Sequence, residues 1–245
     1  MQHTTLSRAL FVIDQVSKAP EGLRFSEIRA RLGQPSPTTV TKILKQLVAA
    51  NVLVKTDTGA YTLGVKPYFW GKAAGRVQDT MQIIRGHMRQ LHDDFEASVN
   101  LFTCSENRML CLESFMAPQS PSMWPAGQSL PLELPVIGSV FFFQHSALAE
   151  EDILHAQVQA HDPGVDFQQV RRMVQTSLET GLQDDQGLFY PGVHRFAVPL
   201  RKEGNVSMVL GLGVLAARLE RGLAVEDITA RMREVQTRIE ERMAG

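Results

Sequence analysis

Residues 37–50 carry the pattern that most restricts the fold of this chain. Val40, Ile43, Leu44 and Leu47 recur at three- and four-residue steps, so at about 100° per residue they share one face of a helix. Opposite them stand Thr38, Lys42 and Lys45, with Thr39 and Gln46 on one flank and Thr41 on the other. That outer face holds no carboxylate. Its hydroxyls, amide and two ammonium groups donate to phosphates and base edges without repelling a polyanion. Ser36 supplies the N-cap, and Pro37 takes the first helical position, where a missing N–H costs nothing.

The flanking residues complete a recognisable unit. Leu6, Ala9, Leu10, Ile13 and Val16 place a helix over about residues 6–18, ended by Ala19-Pro20-Glu21-Gly22. Ser26 is the expected N-cap of a short second helix with Ile28 and Leu32 inside, stopped at Gly33 before a Gln34-Pro35 turn. After the third helix, Val52-Leu53-Val54 and residues 60–63 read as strands joined at Asp57-Thr58-Gly59. Three helices and a hairpin make a winged helix-turn-helix, with Lys55 on the wing. Thr38, Thr39 and Lys42 are the candidates for base edges and nearby phosphate. Lys45, Gln46 and Lys55 are candidates for backbone or flank contact, with Ser36 and Thr41 beside them. The competing reading is a small helical domain with an ordinary solvated lysine face.

Charge weighs against that reading. The net charge of −1 over 245 residues says little by itself. Residues 1–70, however, hold nine Lys/Arg against four Asp/Glu, and the remainder holds 16 against 22. A basic module is joined to an acidic one. No apolar run approaches the roughly 18 residues of a membrane span; the greasiest, residues 136–143, is broken by Gly138 and Ser139. No signal-peptide pattern opens the chain, and two cysteines make no disulfide framework. The expectation is a cytoplasmic protein without a membrane partner.

Beyond residue 64 the pattern changes. Residues 65–79, with Tyr68-Phe69-Trp70, read as a linker helix. Ile84, Met88, Leu91 and Phe95 give an amphipathic helix. Residues 97–103 and 109–114 read as strands around a turn at Asn107-Arg108, a register that sets Cys104 opposite Cys111 as reduced neighbours. Residues 115–135 are proline-rich and loop-like. Helices are expected at 139–146, 149–156 and 167–180, the last capped by Asp166 and ended by Gly181. Strands follow at 194–200 and 206–214, turning at Glu203-Gly204-Asn205. Ile228, Met232, Val235 and Ile239 mark a final helix. Hairpins with helices on one side indicate an α+β domain.

Several ordered segments resemble the IclR family of bacterial transcriptional regulators. They are Ser7-Arg8-Ala9-Leu10, Phe25-Ser26-Glu27-Ile28, Ser36-Pro37-Thr38-Thr39-Val40 and Tyr61-Thr62-Leu63-Gly64. The later ones are Gly127-Gln128-Ser129-Leu130-Pro131-Leu132, Gly138, Gly181, Pro191-Gly192-Val193 and Ala197-Val198-Pro199. The resemblance implies a winged helix-turn-helix at 1–64, a linker helix at 65–79 that packs against its copy in a dimer, and an effector-binding and oligomerisation domain at 80–245. It implies a GAF-like, profilin-like sheet with a ligand pocket at one end, and a homodimer or dimer of dimers on a double-stranded DNA operator. No cofactor and no metal are called for.

Departures from the family fall in the expected pocket. Arg195 stands where the family has a cysteine, and Gly211 and Gly213 stand where it often has serines. The resemblance implies a pocket that has lost hydroxyls and gained room and one cation. A guanidinium offers a fork for a carboxylate. The expected effector is therefore a small organic acid. Met123 and Trp124 would cover its apolar body, and free N–H groups at a helix start at Gly138-Ser139 would supply a second anion contact. In the competing reading Arg195 is a surface residue paired with Asp184 or Asp185.

Two segments are similar to enzyme motifs. Gly211-Leu212-Gly213-Val214-Leu215-Ala216 fits a dinucleotide fingerprint, but only one helix remains after it, with no second parallel strand. Ser129, Asp162 and His194 follow the order of a hydrolase triad, but Pro131 stands where a nucleophile elbow needs glycine. A hydrolase on Ser129 and His194, and a sensor that binds ligand but not DNA, are the alternatives to a DNA-binding regulator.

Overall fold

The computed structural model describes residues 4–118, 124–143, 154–158 and 164–244, without the side chains of residues 76–78. It divides into two compact units, Met1–Asp79 and Thr80–Gly245.

In the first unit α1 (Thr5–Ser17) is capped by Thr4, whose side chain accepts from the Ser7 N–H. Val12 and Val16 carry its buried face, while Leu6 and Leu10 of the expected stripe lie 69% and 57% exposed. β1 (Leu23–Arg24) leads into α2 (Phe25–Arg31), capped at Arg24 rather than Ser26: the Arg24 N–H donates to Glu27 Oε2 at 2.7 Å. α3 (Pro37–Ala49) buries Val40, Ile43, Leu44 and Leu47, each contributing roughly 1.5–3 kcal/mol by leaving water. β2 (Leu53–Lys55) and β3 (Ala60–Leu63) form the wing, and β1 joins them in a three-stranded sheet. β1 is too short for periodicity to reveal. The expected linker helix is instead α4 (Lys66–Ala73), a break at Ala74, and the start of α5 (Gly75–Phe95).

The second unit is built on an antiparallel sheet of six strands in the order β6-β5-β4-β9-β8-β7. These are β4 (Ser98–Ser105), β5 (Arg108–Phe115), β6 (Ser129–Pro131), β7 (Gln183–Asp184), β8 (Val193–Lys202) and β9 (Asn205–Leu215). α6 (Phe167–Thr180) begins at the Asp166 cap and ends at Gly181, whose φ of +67° suits glycine. α7 (Ala216–Glu220) and α8 (Val225–Ala244) close the chain.

Helices cover both faces of this sheet, not one. On the first face Ile84, Met88 and Leu91 of α5 and Ile228, Met232, Val235 and Ile239 of α8 pack on Val99, Leu101, Phe196, Val198, Leu210 and Leu212. On the second, α6, a helical segment at 154–158 and the chain from Leu134 to Phe141 cover Phe102, Cys111, Ala197 and Val209. The expected 139–146 helix is a single 3-10 turn, Ser139–Phe141, and its residues beyond 143 lie outside the described residues. The first part of the expected 149–156 helix also lies outside them.

The two cysteines do not face each other. The β4–β5 turn falls at Glu106-Asn107, one residue earlier than expected, so Cys104 pairs with Met109 and Cys111 with Phe102; a bulge shifts the register only beyond them, between Leu101 and Phe102. Burial pushes both thiols up from their ordinary values, Cys111 beside the Asn100 amide.

Candidate functional site

The first candidate site is the outer face of α3. Ser36 Oγ accepts from the Thr39 N–H at 3.2 Å and shares a 2.8 Å hydrogen bond with Thr39 Oγ1, so both hydroxyls help fix the helix start. Thr38, Thr41, Lys42, Lys45 and Gln46 are exposed, while Thr39 is half-buried. The burial of Ile43 and Leu44 beneath them orients the row outward. Lys55 is exposed on β2, its ammonium 5.9 Å from the centre of the Tyr61 ring. Asp57, at the wing tip, is the acidic group next to it in sequence.

The second candidate site is the α6-covered face of the large sheet. Register fixes which side chains share it. Ser114, Asn100, Gly211 and Ala197 stand opposite one another across β5, β4, β9 and β8. Ser98, Gly213 and Arg195 form the next row. Arg195 is 1% exposed. Its Nε donates to Asp185 Oδ2 at 2.5 Å, its backbone N–H to Asp185 Oδ1 at 2.8 Å, and its Nη1 to the Pro135 carbonyl at 2.9 Å. The Tyr190 ring lies over the guanidinium, 4.5 Å from its centre. Nη2 is buried with no hydrogen-bond partner.

Arg195 is thus neither a surface residue nor a free fork. Asp185, itself fully buried, compensates its charge, and one nitrogen is left to offer. Asp184 belongs elsewhere: it pairs in register with Phe196, bonds His194 Nε2 and caps the Gln186 N–H at 2.9 Å. Asp184, Asp185 and His194 each bring one oxygen or nitrogen within 4.8 Å of the others. Asp185 is held by Arg195 and Asp184 by His194.

Gly138 and Ser139 do not present a helix start to an anion. The Gly138 N–H donates to Gln183 Oε1 at 2.7 Å and the Ser139 N–H to the Val136 carbonyl at 3.1 Å. The group left over is the Ser139 hydroxyl, buried and without a partner. Gly138 itself is obligatory. Its φ is +78°, and a Cβ there would stand 2.2 Å from Val209 Cγ1. The room expected at Gly211 is filled: a Cβ there would meet Ile137 Cγ2 at 3.2 Å. Trp124 packs on this face, whereas Met123 lies outside the described residues.

Sequence reasoning missed Asn100 and Ser114, and offered Asp185 only as one of two partners of a surface Arg195. Asn100 sits between Val99 and Leu101 in a buried strand and was the one visible signal. The hydrolase triad is not assembled. Ser129 on β6 accepts from Arg108 Nε at 2.7 Å, three strands stand between it and His194 on β8, and Asp162 lies outside the described residues. The glycines of the dinucleotide-like motif lie inside β9, antiparallel to both neighbours.

Residues 5–57, which span all three helices and the first strand of the wing, match the family model described as the IclR helix-turn-helix domain. The N-terminal unit is an IclR helix-turn-helix domain. The full chain has the IclR fold. It superposes on an IclR homologue from Microbacterium hydrocarbonoxydans, crystallised with 4-hydroxybenzoate, at a TM-score of 0.72 and 19% identity, covering 98% of this chain and 99% of that one. An IclR regulator from Alicyclobacillus acidocaldarius gives 0.70 at 19% identity, covering 98% of each chain. The Thermotoga maritima IclR gives 0.63 at 17%, covering 98% and 99%. Comparison with curated protein sequences gives no match. At such identities the likeness to IclR structures is one of fold. Among the described residues, no helix is long and apolar enough to cross a membrane.

Proposed function

We propose that this chain is a ligand-responsive, DNA-binding transcriptional regulator whose C-terminal unit senses a small organic acid. The DNA half rests on the carboxylate-free face of α3 within an IclR helix-turn-helix. Thr38, Thr39 and Lys42 reach base edges and adjoining phosphate, and Lys45, Gln46 and Lys55 the flanking backbone. A second copy docks on the apolar residues the first unit leaves in water: Tyr68, Phe69 and Trp70 of α4, each about half-exposed or more, with Leu6 and Leu10 of α1. Two basic heads then read a palindromic operator.

The sensing half rests on Arg195. Its unpartnered Nη2 and the unpartnered Ser139 hydroxyl offer one donor to each oxygen of a carboxylate. The IclR homologue that holds 4-hydroxybenzoate supports an acid of this size. Effector and operator affinities are coupled, each changing the other by the same factor.

Calorimetry with a panel of carboxylates tests the sensing half. Arg195→Gln combined with Asp185→Asn removes both buried charges together, so neither is left stranded. Binding weakened about tenfold or more by the pair of substitutions is expected. Equal binding by wild type and the double variant sinks the role of Arg195.

A further inference from the structure

A groove of about 530 Å3 lies between α6, β7 and α8, at the edge of the large sheet opposite β6. Met173 and Leu182, at 6% and 8% exposure, form its apolar floor. Met173 belongs to the core on one face of the sheet and Leu182 to the core on the other, so the groove marks where the two layers meet. Its lining on α6 is one stripe from Gln169 to Thr180. Spread along the roughly 16 Å of that stripe, the volume makes a slot about 30 Å2 in section. An extended strand with both its faces takes roughly 4.8 by 10 Å, so one strand would bury one face in the slot and keep the other in water.

Charge marks the two ends of the slot. The second unit is acidic, and the arginines beside the groove on α8 are neutralised: Arg231 and Arg238 both pair with Glu234. Arg172 of α6 and Arg233 of α8 line the groove, are exposed, and pair with no carboxylate among the described residues. Arg233 Nη2 donates to the Thr180 carbonyl at 3.0 Å, which sets that guanidinium at the C-terminal end of α6 and leaves its other nitrogens to offer. Arg172 leaves the same helix eight residues earlier, about 12 Å along its axis. Asp184 is the acid on the lining, and its carboxylate is already committed to His194 and to the Gln186 N–H.

The main chain adds a third feature. β7 is the last strand of the sheet. The Asp185 N–H donates to the Arg195 carbonyl at 3.0 Å, and Gln183 stands opposite Ala197. Antiparallel alternation then turns the Asp184 N–H and C=O outward, away from β8 and toward the open edge. An added strand takes main-chain hydrogen bonds from such an edge and specificity from the pockets beside it.

The geometry points to this groove as a docking site for an extended acidic peptide of a partner protein. Two carboxylates four residues apart share one face of a strand and stand about 13 Å from each other, which matches the spacing of the two arginines. The residue midway between them faces the same way, onto Met173 and Leu182, and is apolar. The site uses neither the outer face of α3 nor the Arg195 guanidinium, so it stands independently of the readings above.

Blocked, fluorescently labelled heptapeptides with two glutamates four apart, a midway valine and β-branched neighbours test it, by anisotropy on the full chain at low and high salt. Wild type should bind them, more weakly at high salt, and should ignore the matching set with lysines in place of the glutamates. Arg172→Gln combined with Arg233→Gln changes two exposed side chains and should weaken binding about fivefold or more. Arg172→Glu combined with Arg233→Glu should reverse the preference toward the lysine set. Proline at the three positions between the glutamates keeps the charges, removes the main-chain donors, and should also weaken binding about fivefold or more. Failure of every glutamate peptide to bind wild type, or undiminished binding by the folded variants or by the proline peptides, overturns the proposal. Displacement of the peptide by inorganic phosphate as readily as by unlabelled peptide would show a simple anion site and overturns it as well.

Discussion

The two units keep their uncommitted polar groups in opposite places. In the winged helix they stand in water: Thr38, Thr41, Lys42, Lys45 and Gln46 are all exposed, over a core that is entirely apolar at Val40, Ile43, Leu44 and Leu47. In the second unit they are sealed between a sheet and its cover: Arg195, Asn100 and Ser139 are buried at 1% exposure or less. An exposed ammonium costs nothing while it waits for DNA, because water solvates it. A buried guanidinium needs Asp185 and the Pro135 carbonyl merely to be tolerated. The surface site therefore trades little stability for function, and the buried site trades a good deal.

Single substitutions break or sharpen that contrast. The largest effect is expected at Arg195. Arg195→Ala strands the Asp185 carboxylate in the core and should cost about 3–5 kcal/mol in denaturant unfolding, with part of the loss recovered when Asp185→Asn is added, which removes the charge and keeps an oxygen for the main-chain N–H groups at positions 195 and 187. A loss below 1 kcal/mol would show that the pair is solvated and end the contrast. Gly138→Ala comes next, with its Cβ set against Val209 and its φ at +78°; about 1–3 kcal/mol is expected, and Val209→Ala on the same background should relieve the overlap but not the backbone strain.

The first unit should respond more gently. Ser36→Ala removes the side-chain cap of α3 and should cost about 1 kcal/mol in thermal unfolding. Lys42→Ala should change stability by less than about 0.5 kcal/mol while lowering the slope of log K against log salt in DNA titrations by about 1. An unaltered salt slope removes Lys42 from the phosphate contacts.

The same contrast explains what was legible in the sequence. An exposed functional face on a helix follows from a 3.6-residue period, so α3, its Ser36 cap and its inner residues could be read directly. The α6 and α8 helices were legible for the same reason. A buried polar face on a sheet depends on which strands are neighbours and in what register. Asn100 is brought beside Ser114 and Gly211 by pairings over 14 and 111 residues of chain, which no local pattern encodes. A β4–β5 turn one residue earlier than expected, at Glu106-Asn107, was enough to undo the expected pairing of Cys104 with Cys111. The free N–H groups expected at Ser139 failed because Gln183, from a two-residue strand too short to anticipate, reaches Gly138. Arg195 was recognised as unusual by its identity and Asp185 was one of two partners offered for it, but the choice between them and the burial of the pair came only with the fold.

The central claim, that the α3 face reads DNA, has a direct test that needs no knowledge of the operator. The full chain is used to select duplexes from a randomised pool, side by side with a Thr38→Ala/Lys42→Ala variant whose fold is checked by thermal unfolding. The account predicts that wild type enriches an inverted repeat and that the folded variant loses the enrichment. A wild-type chain that enriches no sequence, or a variant that enriches the same repeat equally well, would contradict it.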